Sequence, residues 1–396
     1  MIGAPLMIGG YCVRSSIQLF LNKRFFNKNE DIPHRGYHNT IIDYIKADGT
    51  IDYKLIYPSH RIKRKRPFTL GELHWKFERD REFVTPDAFF TMIKNGKIFG
   101  ETGSVITPDN KIIGDLAVEM GKTTAHHTYL TLNSIPSPTR IDGNVAVIAC
   151  DAGKNYFHWM FDVLPRLDLI SKAGVPFNSI DKFVANKCTN KFQLDTLKVI
   201  GIPKSKLIYA DKSFYGQASS LLVPSYPGLS GFMPKWSCDF LRRNLLDKTD
   251  LKQKKNYPEK IYISRNKKNN VRQISNENEM LNIIKPIGFK TIVLEDMPIL
   301  EQIRYFAHAG VVLAAHGAGL SNLVFCKPEC KVIELFSPNY LNLCFYYLSD
   351  LLDLDYAYVL GEGEEPPRFV CPGKGRENIT INIELLKKML QTFVAF

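Results

Sequence analysis

The chain has 396 residues, 45% of them apolar, 12% aromatic and 23% charged, and its 52 Lys and Arg against 40 Asp and Glu give a formal net charge of +12. With 26 Gly and 22 Pro it stays below the low-complexity range, so wholesale disorder and a collagen-like repeat are excluded; at roughly 150 residues per domain the length predicts two or three domains. The positive excess leaves three anionic partners open: nucleic acid, a membrane face or a small substrate.

In chain order, Met1 to Val13 is an apolar run interrupted by Gly3, Pro5, Gly9 and Gly10. It lacks the basic stretch of a secretory leader, which reads as a non-secreted start. No segment reaches the ~20 apolar residues that span a bilayer. The expectation is a cytoplasmic protein, with peripheral contact to the inner face of a membrane left open. Residues 1–143 carry short apolar bits between turn signals such as Asp48-Gly49 and Asn95-Gly96 and predict a β-rich, loop-rich region. Within it Arg61 to Arg66 is a basic run, read as a solvated loop, with an anionic membrane or polymer as the second reading.

From Val145 short β-branched runs alternate with helical periods. Strands are predicted at 145–149, 182–185, 207–209 and 220–223, and helices at 156–173, 192–200 and 234–246. The polar, Lys-rich stretch 247–259 reads as a linker. Strands then follow at 260–263, 291–294, 310–315, 331–336 and 356–360, with helices at 277–287, 298–308, 319–325, 340–352 and 383–393. Such alternation means βαβ units and parallel sheets with both faces covered. The expected division is 1–143, 144–250 and 251–396, with the last helix able to pack back on the middle unit. Ligands are expected at the carboxyl ends of the strands. The eight scattered cysteines read as free thiols.

Three segments carry chemistry. In Val311 to Asn322 an apolar strand runs into His316, Gly317 and Gly319 permit a tight turn, and Leu320 opens a helix. Backbone N–H groups there suit a pyrophosphate, and Ser321 and Asn322 add side-chain donors. An ordinary strand-to-helix turn is the plain alternative. The G-x-G also admits a nicotinamide dinucleotide, although Glu334 comes early for the ribose acid of that fingerprint. In Asn155 to Arg166, His158 and Asp162 are four apart on one helix face, a pairing suited to a general base; a structural pair in a core lined by Trp159 is the alternative. In Ile261 to Arg265 a strand ends on Arg265, whose guanidinium suits a diphosphate, with Arg272 a second candidate. The one D-x-D, Asp353 to Asp355, reads as helix-terminal charge, and no cluster has metal-ligand spacing. The required first glycine of a P-loop is replaced by Leu116, and no serine-hydrolase elbow is present.

The ordered set N-x-x-H-W-x-x-D-x-L-P-R (Asn155 to Arg166), I-S-R (Ile263 to Arg265), R-x-I-x-N-E (Arg272 to Glu277), E-Q-I-x-x-F-x-x-A (Glu301 to Ala309), H-G-A-G-L-S-N (His316 to Asn322) and V-I-E-L (Val332 to Leu335) resembles glycosyltransferase family 61. That family includes O-linked GlcNAc transferases, xylan-decorating xylosyltransferases and enzymes of capsule and surface polysaccharide synthesis. The resemblance implies an α/β GT-B fold, two Rossmann-like domains facing a cleft, with a β-rich N-terminal region. It implies an inverting, metal-independent transferase moving a sugar from a nucleotide-sugar, a UDP-sugar in the first instance, to a glycan or lipid-linked glycan. Implied donor-side residues are Arg265, Arg272, His316, Gly317, Ala318, Gly319, Leu320, Ser321, Asn322 and Glu334, the last on the ribose. His158 or Asp162 is implied as base, and Asn155, Trp159 and Arg166 as acceptor-side residues. No cofactor and no nucleic acid are expected. Two other readings stand beside this one: an NAD(P)-dependent oxidoreductase, and a non-catalytic glycan- or nucleic-acid-binding protein.

Overall fold

A computed structural model describes residues 35–48, 51–251, 256–265, 271–370 and 372–394. The apolar run 1–13, Cys12, Cys371, Lys267, Lys268 and the centre of the Lys-rich linker lie outside the described residues.

Among the described residues twelve strands precede the linker: β1 (Gly36–His38), β2 (Asp52–Tyr57), β3 (Arg61–Lys63), β4 (Glu82–Val84), β5 (Ala88–Lys94), β6 (Lys97–Phe99), β7 (Ser104–Ile106), β8 (Lys111–Ile113), β9 (Thr139–Val147), β10 (Lys182–Asn186), β11 (Leu207–Ala210) and β12 (Tyr215–Pro224). All except the β3–β4 hairpin join one mixed ten-stranded sheet, ordered β1-β8-β7-β6-β12-β9-β10-β11, with β5 pairing β12 and β2. Strands β12, β9, β10 and β11 are parallel neighbours, whereas β5 and β6 run antiparallel to β12. The β-rich N-terminal region is therefore continuous with the first α/β unit, and the expected boundary at residue 143 falls inside β9. What separated them in the sequence was a change of texture, because antiparallel meanders and buried parallel strands are patterned differently.

The second sheet holds β13 (Lys260–Ile263), β14 (Phe289–Ile292), β15 (Val311–Ala315), β16 (Lys331–Phe336) and β17 (Asp355–Leu360), all parallel, in the order β14-β13-β15-β16-β17. Strand β15 is buried along its whole length, so its unbroken apolar run reflects helices on both faces. The order is that of a doubly wound sheet whose connections change direction between β13 and β15, the place where ligands enter such folds.

One apolar cluster runs through both halves, joining Ala146, Phe183 and Leu197 to Ile261, Phe306 and Phe325. The last helix, Ile383–Met389, packs through Leu386 and Met389 against Met280, Ile284 and Leu335. It thus covers its own sheet instead of returning to the middle unit, because its apolar stripe matches that of helix Glu277–Ile284.

The basic run is solvated at Arg61, Lys63, Lys65 and Arg66, as expected, but it begins as strand β3 and its Arg64 points inward. Arg64 is buried over the Tyr347 ring at 4.1 Å. Arg61 and Lys63 face Glu82, Lys65 faces Asp353, and Arg66 chelates Glu78. Beyond it Phe68 pairs with Ala357 and extends the second sheet past β17, so residues 61–80 strap the N-terminal region to the second half. Asp353, of the D-x-D, lies just past helix Cys344–Leu351, as a helix-terminal charge should. The six cysteines among the described residues are free thiols. No helix among the described residues is long and apolar enough to cross a membrane.

Candidate active site at the sheet switch point

The carboxyl ends of β13 and β15 open on a small crevice lined by Ile263, Ser264, Arg265, Leu294, Glu295, Gly317 and Gly319. Arg265 leaves the end of β13 and its guanidinium lies against Gly317; a Cβ at that glycine would sit 1.7 Å from Nη1. The need for glycine here is close approach, since the backbone is extended (φ 175°). Gly319 is likewise tight, with a Cβ position 2.7 Å from Leu294 Cδ1. Arg265 Nε donates to the Val271 carbonyl at 3.3 Å. Burial and the neighbouring Arg272 charge hold the Arg265 guanidinium below the usual arginine range, with Glu295 opposing them. One guanidinium in the crevice with a second close enough to repel it makes a positive site that an anion relieves.

Arg272 adopts φ +54°, donates from Nη1 to the Gly375 carbonyl at 2.5 Å and lies over the Tyr340 ring at 5.5 Å. Its Nε is buried with no hydrogen-bond partner among the described residues, as is Ser321 Oγ. Orphaned buried donors of this kind are uncommon. After Gly317, residues Ala318–Phe325 form a tight 3₁₀ helix instead of the α-helix expected, and Leu320 turns into the core. Gly317→Ala pushes the Arg265 guanidinium aside. The expected outcome is about a hundredfold loss of turnover, the scale of an ångström misplacement, with the melting temperature nearly unchanged, checked by paired kinetics and thermal unfolding.

Asn155 caps the next segment, accepting from Phe157 N at 2.9 Å. The single helix expected over 156–173 is divided: Tyr156–His158 passes into a π turn at Trp159–Val163, and an α-helix resumes at Arg166–Lys172. Leu164 N reaches the Trp159 carbonyl at 3.0 Å, and Pro165, which has no N–H to continue an α ladder, follows immediately. His158 Nδ1 and Asp162 Oδ2 are 2.7 Å apart, with Ser230 Oγ 3.4 Å from the same nitrogen. No partner of His158 Nε2 occurs among the described residues, so the ring presents one free nitrogen.

This segment meets the crevice elements directly. Tyr156 OH donates to Asn322 Oδ1 at 2.6 Å, and Asn322 Nδ2 donates to Gln302 Oε1 at 2.9 Å and to the Gly319 carbonyl at 3.2 Å. Asn322 is therefore a buried bracket between the halves. Phe345 touches Phe157 on one side and His316 on the other, with ring centroids 5.8 and 5.3 Å apart.

Three expected roles change. Glu334 is fully buried; Oε1 pairs with His316 Nδ1 at 2.6 Å and Oε2 accepts from Tyr356 OH at 2.5 Å. Both oxygens are engaged within the sheet, out of reach of a ribose. Trp159 is fully buried, donating from Nε1 to Thr196 Oγ1 at 2.9 Å. Arg166 is equally buried and donates to the Ala149 and Pro224 carbonyls. Neither offers a surface to an acceptor: Trp159 ties the His158 segment to Thr196 of helix Lys191–Ile200, and Arg166 ties helix Arg166–Lys172 to Ala149 just after β9 and to Pro224 at the end of β12. Trp159→Ala is expected to lower stability by about 3–5 kcal/mol, as for large core aromatics, against ~1 kcal/mol for loss of the Asn155 cap in Asn155→Ala, both read by chemical denaturation. Tyr156, Ser230, Phe345 and Tyr356 were not anticipated. Tyr156, next to Asn155 in the motif, was the one with a local signal.

Residues 156–333 match the family model described as Glycosyltransferase 61. A curated relative, Beta-1,2-xylosyltransferase RCN11 of Oryza sativa subsp. japonica, is 34% identical over 92 residues, 21% of this chain and 17% of the relative. The chain thus spans about a sixth of the length of the curated relative it matches. The matched segment contains the His158–Asp162 pair, Arg265 and the Gly317 turn, and residues 156–333 of this chain belong to glycosyltransferase family 61.

Proposed function

We propose that the protein is an inverting glycosyltransferase that moves a sugar from a UDP-sugar to a hydroxyl of a glycan or lipid-linked glycan, without a bound metal. The observation that carries this reading is the pairing of Arg265 with Gly317 at the β13–β15 switch point, within the family-matched segment. The xylosyl activity in the relative's name makes UDP-xylose the first donor to try. A GT-B arrangement, with the donor on the second sheet and the acceptor on the first, accords with the doubly wound order of the second sheet.

In a single displacement the acceptor hydroxyl attacks the anomeric carbon as the bond to the leaving diphosphate breaks. His158 Nε2 takes the hydroxyl proton, with Asp162 fixing the ring through Nδ1. The electron pair released on the β-phosphate oxygen is met by Arg265, Arg272, Ser321 and the backbone N–H groups after Gly317. Two guanidiniums supply the positive charge that a metal ion supplies in other transferases.

The geometry favours this over the nicotinamide reading. Its glycine turn follows the third strand of the sheet in chain order, not the first, and Glu334 is engaged in the interior. Thermal unfolding with saturating UDP or NAD distinguishes them: a rise with UDP alone is expected, and a rise with NAD alone favours the oxidoreductase. Transfer in the presence of EDTA should be undiminished.

A further inference from the structure

His316 directly follows β15 and precedes Gly317, and its ring is packed on three sides by Phe336, Tyr340 and Phe345, with centroids 5.3, 5.5 and 5.3 Å away. Its Nδ1 is tied to Glu334 on β16, and Glu334 is tied to Tyr356 on β17. Three neighbouring parallel strands thus contribute one group each to a buried chain that ends at His316 Nε2, which has no hydrogen-bond partner among the described residues. Tyr340 lies between this ring and the Arg272 guanidinium, which places His316 beside the proposed diphosphate cradle.

A buried carboxylate with both oxygens satisfied is an expensive arrangement unless it holds a partner in place. The sheet needs no charge at this position; an aliphatic side chain would fill it. We propose that Glu334, itself locked by Tyr356, is a positioning residue for transfer: it accepts the His316 Nδ1–H and so fixes the ring in the orientation from which, as the imidazolium, it donates from Nε2 to the departing diphosphate. This rests on the donor reading above. As the bond from the anomeric carbon to the diphosphate breaks, its electron pair settles on the β-phosphate oxygen. His316 stabilises that charge by a hydrogen bond, while the acceptor proton passes separately to His158.

The groups facing this pair are few. Glu334 comes from β16, Tyr356 from β17, Tyr340 from the loop after β16, Cys344 from the start of helix Cys344–Leu351, and Arg272 from across Tyr340. Burial and the Glu334 charge push the Tyr356 hydroxyl and the Cys344 thiol well above their ordinary ranges, so both stay protonated near neutrality.

The test uses Glu334→Gln and Tyr356→Phe in the full chain, with kcat and KM from transfer assays and UDP binding from calorimetry. Glu334→Gln is expected to lower kcat about a hundredfold with KM and UDP affinity within a few-fold. Tyr356→Phe should lower kcat in the same way by less, and it decides the matter if Glu334→Gln does not fold. A kcat unchanged in the folded variants, a loss of UDP affinity as large as the loss of kcat, or activity that falls only in step with the folded fraction, overturns the positioning role. Absence of wild-type turnover with every nucleotide-sugar removes the donor reading itself, and this role with it.

Discussion

Replacing Arg265 with Ala is expected to lower kcat by two to three powers of ten, about 3–4 kcal/mol of transition-state stabilisation, with a much smaller change in UDP affinity. The guanidinium lies against Gly317 at the end of β13, where negative charge grows as the diphosphate departs, so its interaction strengthens during the reaction. Arg272 and the backbone N–H groups remain to bind the ground state. Fold stability should be nearly unaffected, because the Arg265 contact among the described residues is a long hydrogen bond to the Val271 carbonyl, 3.3 Å. Steady-state kinetics beside UDP calorimetry give the comparison. Parallel losses of kcat and affinity mean that Arg265 only binds the donor.

The second large effect lies across the interface. His158→Ala is expected to lower kcat by about 10²–10⁴, the range for loss of a general base, with donor binding intact. Asp162→Asn should approach the same loss. The carboxylate 2.7 Å from Nδ1 keeps the proton on that nitrogen and leaves Nε2 free to accept; an amide in its place can donate to Nδ1 and hold the wrong tautomer. Because the two side chains act as one unit, the double variant should be little worse than His158→Ala alone. Additive losses in the cycle assign Asp162 a separate task and make it the alternative base. The π turn at Trp159–Val163 aims both side chains, so neither substitution should disturb the buried face that holds Trp159.

The elements nearest the chemistry were the most legible in the sequence. Strands β13, β15 and β16 are buried on both faces and read as unbroken apolar runs. Their carboxyl ends therefore marked Arg265 and the Gly317 turn as neighbours before any coordinates. The His158–Asp162 contact followed from spacing alone and survives the π turn that Pro165 imposes. What the sequence concealed was which polar residues face inward. Glu334 sits in a strand buried on both faces, where alternation carries no information, and its partners His316 and Tyr356 come from two other strands. Trp159 and Arg166 share a motif with His158, yet the helix turns them to the opposite side. The N-terminal strap was illegible for another reason: its pairing of Phe68 with Ala357 joins distant parts of the chain, and no local pattern announces such a contact.

The charge excess changes meaning accordingly. Arg61, Lys63, Lys65 and Arg66 are matched with acids, and Arg64 is sealed among aromatic rings. The unusual cations are Arg265, which lines the switch-point crevice, and Arg272, whose charge acts on it.

The most direct test of the account is to incubate the full chain with a panel of nucleotide-sugars and follow donor consumption by NMR, which also reports the anomeric configuration of the sugar released or transferred. The account predicts turnover of one UDP-sugar, UDP-xylose first among them, with inversion at the anomeric carbon and near-complete loss in the Arg265→Ala variant. A folded wild-type chain that binds no UDP and consumes none of the donors, or one whose turnover is indifferent to Arg265, contradicts it.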